Sequence, residues 1–232
     1  MLVCRDGEYQ FFNIGAKTYS CYCVTYKDKA VMIDCGPLPE REAIEKNMQK
    51  DFIFDVDAIF LTHAHGDTAG NAEYFSMLYN CPVYAMKDSL ETLKRGICKA
   101  PPKNHPYIKK AGPSGGIVAK LPAFMPFEPC RNLEVLTKKT AEDLLGKDVM
   151  LLMTPGHTED SISLKIGETA LIGDAAQYSK QVLAPIFVDN EAQLGRSWQT
   201  LLGLSCKQYL CAHGKAFSAD EWKSDAEKTA NR

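Results

Sequence analysis

Thr62-His63-Ala64-His65-Gly66-Asp67-Thr68 closes the short apolar run Val56 to Thr62. A short apolar run of this kind reads as a strand buried on both faces. Two histidines and an aspartate crowd the loop that leaves it. Imidazole and carboxylate are natural ligands for zinc and for non-haem iron, so the rest of the chain is read for partners. Three more segments share the pattern. Thr154-Pro155-Gly156-His157 follows Met150-Leu151-Leu152-Met153, Gly173-Asp174 follows Ala170-Leu171-Ile172, and His213-Gly214 follows Tyr209-Leu210-Cys211-Ala212. The chain has 5 histidines, and all but His105 stand at the ends of expected strands. In a layered fold such ends converge on one edge, where loops carry the functional groups. Ala64, Gly66, Gly156, Gly173 and Gly214 let the backbone turn tightly beside each of them. A single histidine after a strand is ordinarily a surface or satisfied core residue, so the weight lies in the ordered set. His105, within Asn104-His105-Pro106, reads as a loop residue, and Asp34 as a turn or supporting group.

Around these motifs, strands dominate and helices punctuate each half. Tyr9 to Ile14, Thr18 to Tyr26 and Ala30 to Asp34 are expected strands, with Lys27-Asp28-Lys29 as a polar turn. Further strands are expected at Val83 to Ala85, Leu133 to Leu136, Val149 to Met153, Ser161 to Ile166, Thr169 to Ile172 and Gln208 to Ala212. Helices are expected at Pro39 to Lys50, Thr68 to Tyr79, Lys87 to Cys98, Glu191 to Leu204 and Ser218 to Asn231. Between Lys99 and Cys130 stand seven of the 12 prolines, three glycines and five lysines (Lys99, Lys103, Lys109, Lys110, Lys120). That stretch, residues 99–130, reads as a long loop or flap within a single domain spanning 1–232. Its lysines read as solvated loop charge or as a hint of an anionic substrate.

Composition narrows the function. Lys+Arg number 27 against 29 Asp+Glu, a net charge of −2, so the basic surplus that a nucleic-acid binder needs is missing. No apolar run approaches the roughly 20 residues of a spanning helix, and the start shows no basic-then-apolar leader. No nucleic-acid or membrane partner is therefore expected, and the chain reads as cytoplasmic. Its 9 cysteines are scattered, lack a Cys-x-x-Cys pair and read as reduced, mostly buried hydrophobes. Cys21 and Cys23 are expected on opposite faces of a strand.

The ordered motifs resemble those of the metallo-β-lactamase superfamily. The resemblance runs from Ile33-Asp34-Cys35-Gly36 through Thr62 to Asp67, Thr154 to Thr158 and Gly173-Asp174, to Ala212-His213-Gly214. It implies an α/β fold, a four-layer αββα sandwich of two mixed sheets flanked by helices. It also implies that His63, His65 and His157 form a first metal site, that Asp67 and His213 belong to a second, and that Asp174 bridges them. The implied cofactor is Zn2+, one or two per chain, with iron or manganese compatible with the same ligands. The chemistry implied is hydrolysis of a small-molecule ester, thioester, lactone or amide by a metal-bound hydroxide, with Asp67 as the catalytic carboxylate that orients that water or takes its proton.

One position departs from the family pattern. Thr68 stands where a second-site histidine is usual, and a hydroxyl is a poor zinc ligand beside imidazole. A strong first site and a weakened second site are therefore expected, and Thr68 also suits an N-cap of the following helix. Two other readings stay open. One is a mononuclear iron oxidoreductase similar to persulfide dioxygenases, built on His63, His157 and Asp174; the other is a non-catalytic metal-binding relative.

Overall fold

The structure, a computed structural model, describes residues 1–16, 18–100, 121–204 and 206–230. Most of the expected flap, with His105 and four of its five lysines, lies outside the described residues. Seven strands form the first sheet in simple order: β1 (Leu2–Asp6), β2 (Tyr9–Asn13), β3 (Tyr22–Tyr26), β4 (Lys29–Ile33), β5 (Ala58–Phe60), β6 (Val83–Ala85) and β7 (Leu133–Val135). Neighbours are antiparallel from β1 to β4 and parallel from β4 to β7. Helices α1 (Arg41–Lys50), α2 (Gly66–Ala69), α3 (Ala72–Tyr79) and α4 (Leu90–Arg95) fall between its later strands. After β7 come α5 (Lys138–Leu145), β8 (Val149–Met153), β9 (Ile162–Ile166) and β10 (Thr169–Gly173). The hairpin β11 (Gln177–Tyr178) and β12 (Val182–Leu183) precedes α6 (Glu191–Gly203), β13 (Gln208–Cys211) and α7 (Ala219–Ala230). The second sheet has the order β13-β10-β9-β8, with only the β13–β10 pair parallel.

Alternation along the strands builds the layers. Tyr22 and Val24, Val31 and Ile33, and Ala58 and Phe60 face a core shared with Ile162, Leu164, Leu171 and Leu210 of the second sheet. Their neighbours Cys23, Met32 and Ile59 face the opposite way, onto Ile44 and Met48 of α1 and Phe75 of α3. On the second sheet, Ala170, Ile172, Tyr209 and Cys211 pack on Leu201 of α6 and on Trp222 of α7. A period of two therefore gives each sheet two apolar faces, and the result is the expected αββα sandwich of two mixed sheets.

Several local expectations are corrected. Cys21 and Cys23 share the α1-facing core, because residues two apart on an extended chain lie on one side. All nine cysteines are free. The helix expected from Thr68 to Tyr79 is two helices, α2 and α3, parted at Gly70-Asn71. Thr68 lies inside α2, whose N-cap is His65, and Asn71 is the N-cap of α3, so Thr68 caps neither. The sequence reading assigns no element to β1, α5 or the β11–β12 hairpin. Helix α5 starts where the Thr137 hydroxyl accepts from Thr140 N at 3.1 Å and buries Ala141 and Leu145 in the core between the sheets.

The break at Asn71 anchors the site from below. Asn71, fully buried, donates through Nδ2 to the carbonyls of Cys35 (3.0 Å), Gly36 (3.1 Å) and Pro37 (2.9 Å). These contacts tie the turn after β4 to the helical segment that carries Asp67. Asn71→Ala leaves buried carbonyls unsatisfied, which costs about 3 kcal/mol. The expected outcome in a thermal melt is a midpoint lower by roughly 6–12 °C.

Candidate metal centre

Six predicted side chains converge where strands end. His63, His65 and Asp67 follow β5 of the first sheet. His157 follows β8, Asp174 follows β10 and His213 follows β13, all of the second sheet. Backbone hydrogen bonds close this edge: Ile162 N donates to Thr62 O at 2.9 Å, and Ala212 N to Gly173 O at 2.9 Å. Gly173 makes the approach feasible. Its φ is +50°, and a Cβ there would lie 2.5 Å from Thr62 Oγ1. Gly156, with φ +140°, sits 2.4 Å from Leu194 N by the same measure, so the loop before His157 runs against α6. Of the small residues expected to permit tight turns, Gly156, Gly173 and Gly214 all have positive φ.

The six form two triads, His63–His65–His157 and Asp67–Asp174–His213, and within each triad the candidate ligand atoms lie within 4.8 Å of one another. The three imidazoles of the first triad are mutually near-perpendicular, with every pair of ring centroids 4.8 Å apart. His157 Nε2 lies 3.0 Å from His65 Nδ1 and 3.4 Å from Asp174 Oδ2. In the second triad, His213 Nε2 lies 3.3 Å from Asp174 Oδ2 and 3.6 Å from Asp67 Oδ2. Each triad draws ligands from both sheets.

Outer hydrogen bonds settle which nitrogen faces inward. His157 Nδ1 donates to the Phe187 carbonyl at 2.7 Å, so Nε2 is the nitrogen that faces His65 and Asp174. His63 Nδ1 lies 3.1 Å from Thr62 Oγ1, and that hydroxyl donates to Asp34 Oδ2 at 2.9 Å. Asp34 also accepts from Thr62 N at 2.8 Å and stands at φ +62°, a left-handed conformation that aspartate tolerates. Burial pushes its carboxyl up to about 8 in the metal-free chain, against the two Thr62 hydrogen bonds, and a nearby cation draws it down again. Asp34 is thus a supporting group, as expected. Thr62, Phe187 and Asp160 are contributions that sequence reasoning missed. Asp160 accepts from Ala64 N at 3.2 Å and from Ser89 Oγ at 2.5 Å, which pins the loop between the two histidines. Thr62 sits inside the motif itself, whereas nothing local marks the carbonyl of Phe187.

The donor set fits divalent ions. Asp67 Oδ1 and Asp174 Oδ1 are buried and lack a hydrogen-bond partner among the described residues, an arrangement that a cation relieves. Burial and the facing His157 lower His63 to about 4; burial, with His63 and His157, also lowers His65 well below its ordinary value. Both are neutral near pH 7, the form that binds metal. Burial opposes charge on His213 as well, yet Asp174 and Asp67 hold it up at about 9. Burial and Asp174 raise Asp67 to about 6. Asp174 is driven down by His213 and His157 despite its own burial.

A pH-dependent outcome follows from the signs. A proton stays on His213 up to about pH 9, so an ion entering the second triad at pH 7 must displace it. His63 and His65 have no proton to lose. Calorimetric titration with zinc in buffers of different ionisation enthalpy is expected to show about one proton released at the second triad. Its apparent affinity is expected to rise about tenfold per pH unit below pH 9.

Above the centre lies a pocket of about 150 Å³. Asp67, His157, Asp174 and His213 form its floor, and Leu121, Pro122, Ala123, Pro185, Ile186 and Phe187 form one wall. Tyr19 and Gln177 complete the lining. The Tyr19 ring meets His213 edge-on at 5.1 Å. Phe124 meets His65 at 5.2 Å and Phe187 at 4.9 Å, fixing the apolar wall over the imidazoles. Lys99 lines a different cleft, beside Asp88, Asp160 and Asp189. Among the described residues, no helix is long and apolar enough to cross a membrane.

Comparison with known proteins agrees with this geometry. A family model described as the metallo-beta-lactamase superfamily matches residues 14–213. The chain is 26% identical over 226 residues to the probable metallo-hydrolase YflN of Bacillus subtilis (strain 168), covering 87% of this chain and 81% of that protein. It is 25% identical over 146 residues to the probable metallo-hydrolase MJ0888 of Methanocaldococcus jannaschii, covering 63% and 62% respectively. Among solved structures, the metallo-beta-lactamase superfamily protein ST1585 from Sulfolobus tokodaii superposes with a TM-score of 0.66 at 18% identity, over 98% of this chain and 87% of its own. The metallo-beta-lactamase family protein TTHA1429 from Thermus thermophilus gives 0.67 at 20% identity, over 97% and 79%.

Proposed function

Because the chain belongs to the metallo-beta-lactamase superfamily, we propose that it is a metal-dependent hydrolase of a small-molecule ester, thioester, lactone or amide. The observation that carries this reading is the pair of neighbouring triads, four of whose six side chains line one pocket. His63, His65 and His157 would hold the first ion, and Asp67, His213 and the shared Asp174 the second. Zinc is the metal proposed. When bound, such ions lower the pKa of water to near neutrality and polarise the substrate's carbonyl oxygen.

The chain's own residues do the rest. Thr62 and the Phe187 carbonyl hold two imidazoles in the ligating tautomer, a role for which outer partners are worth about 10–100-fold in metal affinity. Asp67 lines the pocket, and its carboxylate would orient the attacking water and take its proton. A bond forms between the water oxygen and the acyl carbon, and the bond from that carbon to oxygen, sulfur or nitrogen breaks. The proton then passes to the leaving group, giving an acid and an alcohol, thiol or amine. The apolar wall limits competing water.

Metal content of the purified protein, measured with ester, thioester and lactone hydrolysis in the same sample, tests the reading. One to two zinc ions per chain, with activity lost to a chelator and restored by zinc, supports it. About one iron per chain, with oxygen consumed on a persulfide, replaces it with the dioxygenase reading. Metal binding without turnover of any such substrate leaves the non-catalytic reading in its place.

A further inference from the structure

The pocket above the centre carries its own chemical preference. Its carboxylates and imidazoles are those of Asp67, Asp174, His157 and His213, and among the described residues no lysine or arginine lines it. Leu121, Pro122, Ala123, Pro185, Ile186 and Phe187 give the rest of the lining an apolar character. Ile186 stands at 55% exposure, so the apolar surface reaches the rim. Phe187 is braced edge-on by Phe124, which makes this wall a rigid one. Tyr19 also lines the pocket; its backbone is tied by Ser20 N donating to Ala212 O at 2.7 Å and by Tyr19 N donating to Ala16 O at 2.9 Å, and its ring meets His213 edge-on. The volume is about 150 Å³, which is the size of cavity that admits a benzene ring.

We infer that this pocket selects a compact, uncharged apolar acyl group or lactone ring, packed between Tyr19 and the Ile186–Phe187 wall. The inference rests on the hydrolase reading and names the substrate class within it. A carboxylate or phosphate on that part of the substrate would lose its water against this apolar lining, where no lysine or arginine of the described residues meets it. An acyl group of four to six carbons gains by the same burial. The lysines Lys103, Lys109, Lys110 and Lys120, which suggested an anionic substrate, lie outside the described residues, and Lys99 lines the neighbouring cleft on the His65 side, with Asp88, Asp160 and Asp189.

The test uses the zinc-loaded full chain and four 4-nitrophenyl esters: acetate, butyrate, decanoate and the hemisuccinate, whose acyl chain ends in a carboxylate. Butyrate is expected to exceed hemisuccinate by at least about tenfold in kcat/KM, with acetate and decanoate below it. Ile186→Lys puts a cation at the half-exposed rim and is expected to lower the butyrate-to-hemisuccinate ratio by at least about fivefold. Hemisuccinate cleaved as well as butyrate overturns the inference and leaves the hydrolase reading intact. If none of the four esters is cleaved, the hydrolase reading is left to the thioester and lactone assays, and ligand-observed NMR decides the inference by itself. In that measurement 2-hexanone is compared with levulinate, a ketone of similar size that bears a carboxylate. Stronger saturation of 2-hexanone upholds the inference, and the reverse overturns it.

Discussion

Replacing His157 with alanine is expected to strip the trihistidine site of its metal and to end hydrolysis. The site then keeps two protein ligands, where catalytic zinc uses three. Removing even a partner that only orients a ligand weakens metal binding by about 10–100-fold, so loss of the ligand itself is expected to exceed about 100-fold. Without the ion, the pKa of the attacking water returns from about 7 toward 15.7, and kcat/KM is expected to fall by at least about a thousandfold. His157 is 3% exposed and bonded to the Phe187 carbonyl, so its truncation also disturbs packing. His157→Gln, which keeps most of the volume and a donor, separates the two effects. It is expected to hold the melting temperature of the metal-free chain and still lose zinc. Unchanged zinc content in both variants would show that the metal sits elsewhere.

Thr68→His is expected to act in the opposite direction. Thr68 is 3% exposed, and its hydroxyl stands 3.3 Å from His63 Nε2, at the inner side of the first triad. The second triad then has only Asp67, Asp174 and His213. An added imidazole is expected to bring metal content toward two ions per chain and to tighten the second ion at least about tenfold. The larger ring strains a packed site by about 1–3 kcal/mol, so a somewhat lower melting temperature of the metal-free chain accompanies the gain. Thr68→Val keeps the shape without the hydroxyl and is expected to leave the stoichiometry of the parent. If Thr68→His leaves both stoichiometry and second-ion affinity unchanged, the missing histidine is not what weakens that site.

The convergence of the candidate ligands was legible because its signal is local. His63, His65, His157, Asp174 and His213 each stand shortly beyond an apolar strand, and the strand pattern alone places them on an edge. The layers were legible for the same reason, since alternation such as Val31-Met32-Ile33 needs no knowledge of partners. What escaped depends on distant neighbours. Helix α5 begins Lys138-Lys139-Thr140, with nothing apolar in its first turn, and acquires its place only when Ala141 and Leu145 meet the inter-sheet core. The break at Gly70-Asn71 answers to three carbonyls more than thirty residues upstream. Thr68 read equally as a helix cap, and only the approach of His63 gives its hydroxyl a direction. The apolar wall joins Leu121 to Ile186, segments that share no pattern.

Each triad takes ligands from both sheets, and that division has a mechanical consequence. An ion held by His63 and His157 is a cross-link that closes a chain loop of roughly a hundred residues. Chain-entropy reasoning gives a covalent link of that span about 4–5 kcal/mol. A metal bound there would therefore serve as a removable clasp between the two halves of the sandwich, besides the chemistry proposed for it. Withdrawing it frees the sheet edges that Ile162 N and Thr62 O hold together, and susceptibility to a protease becomes a reading of how much metal the chain carries.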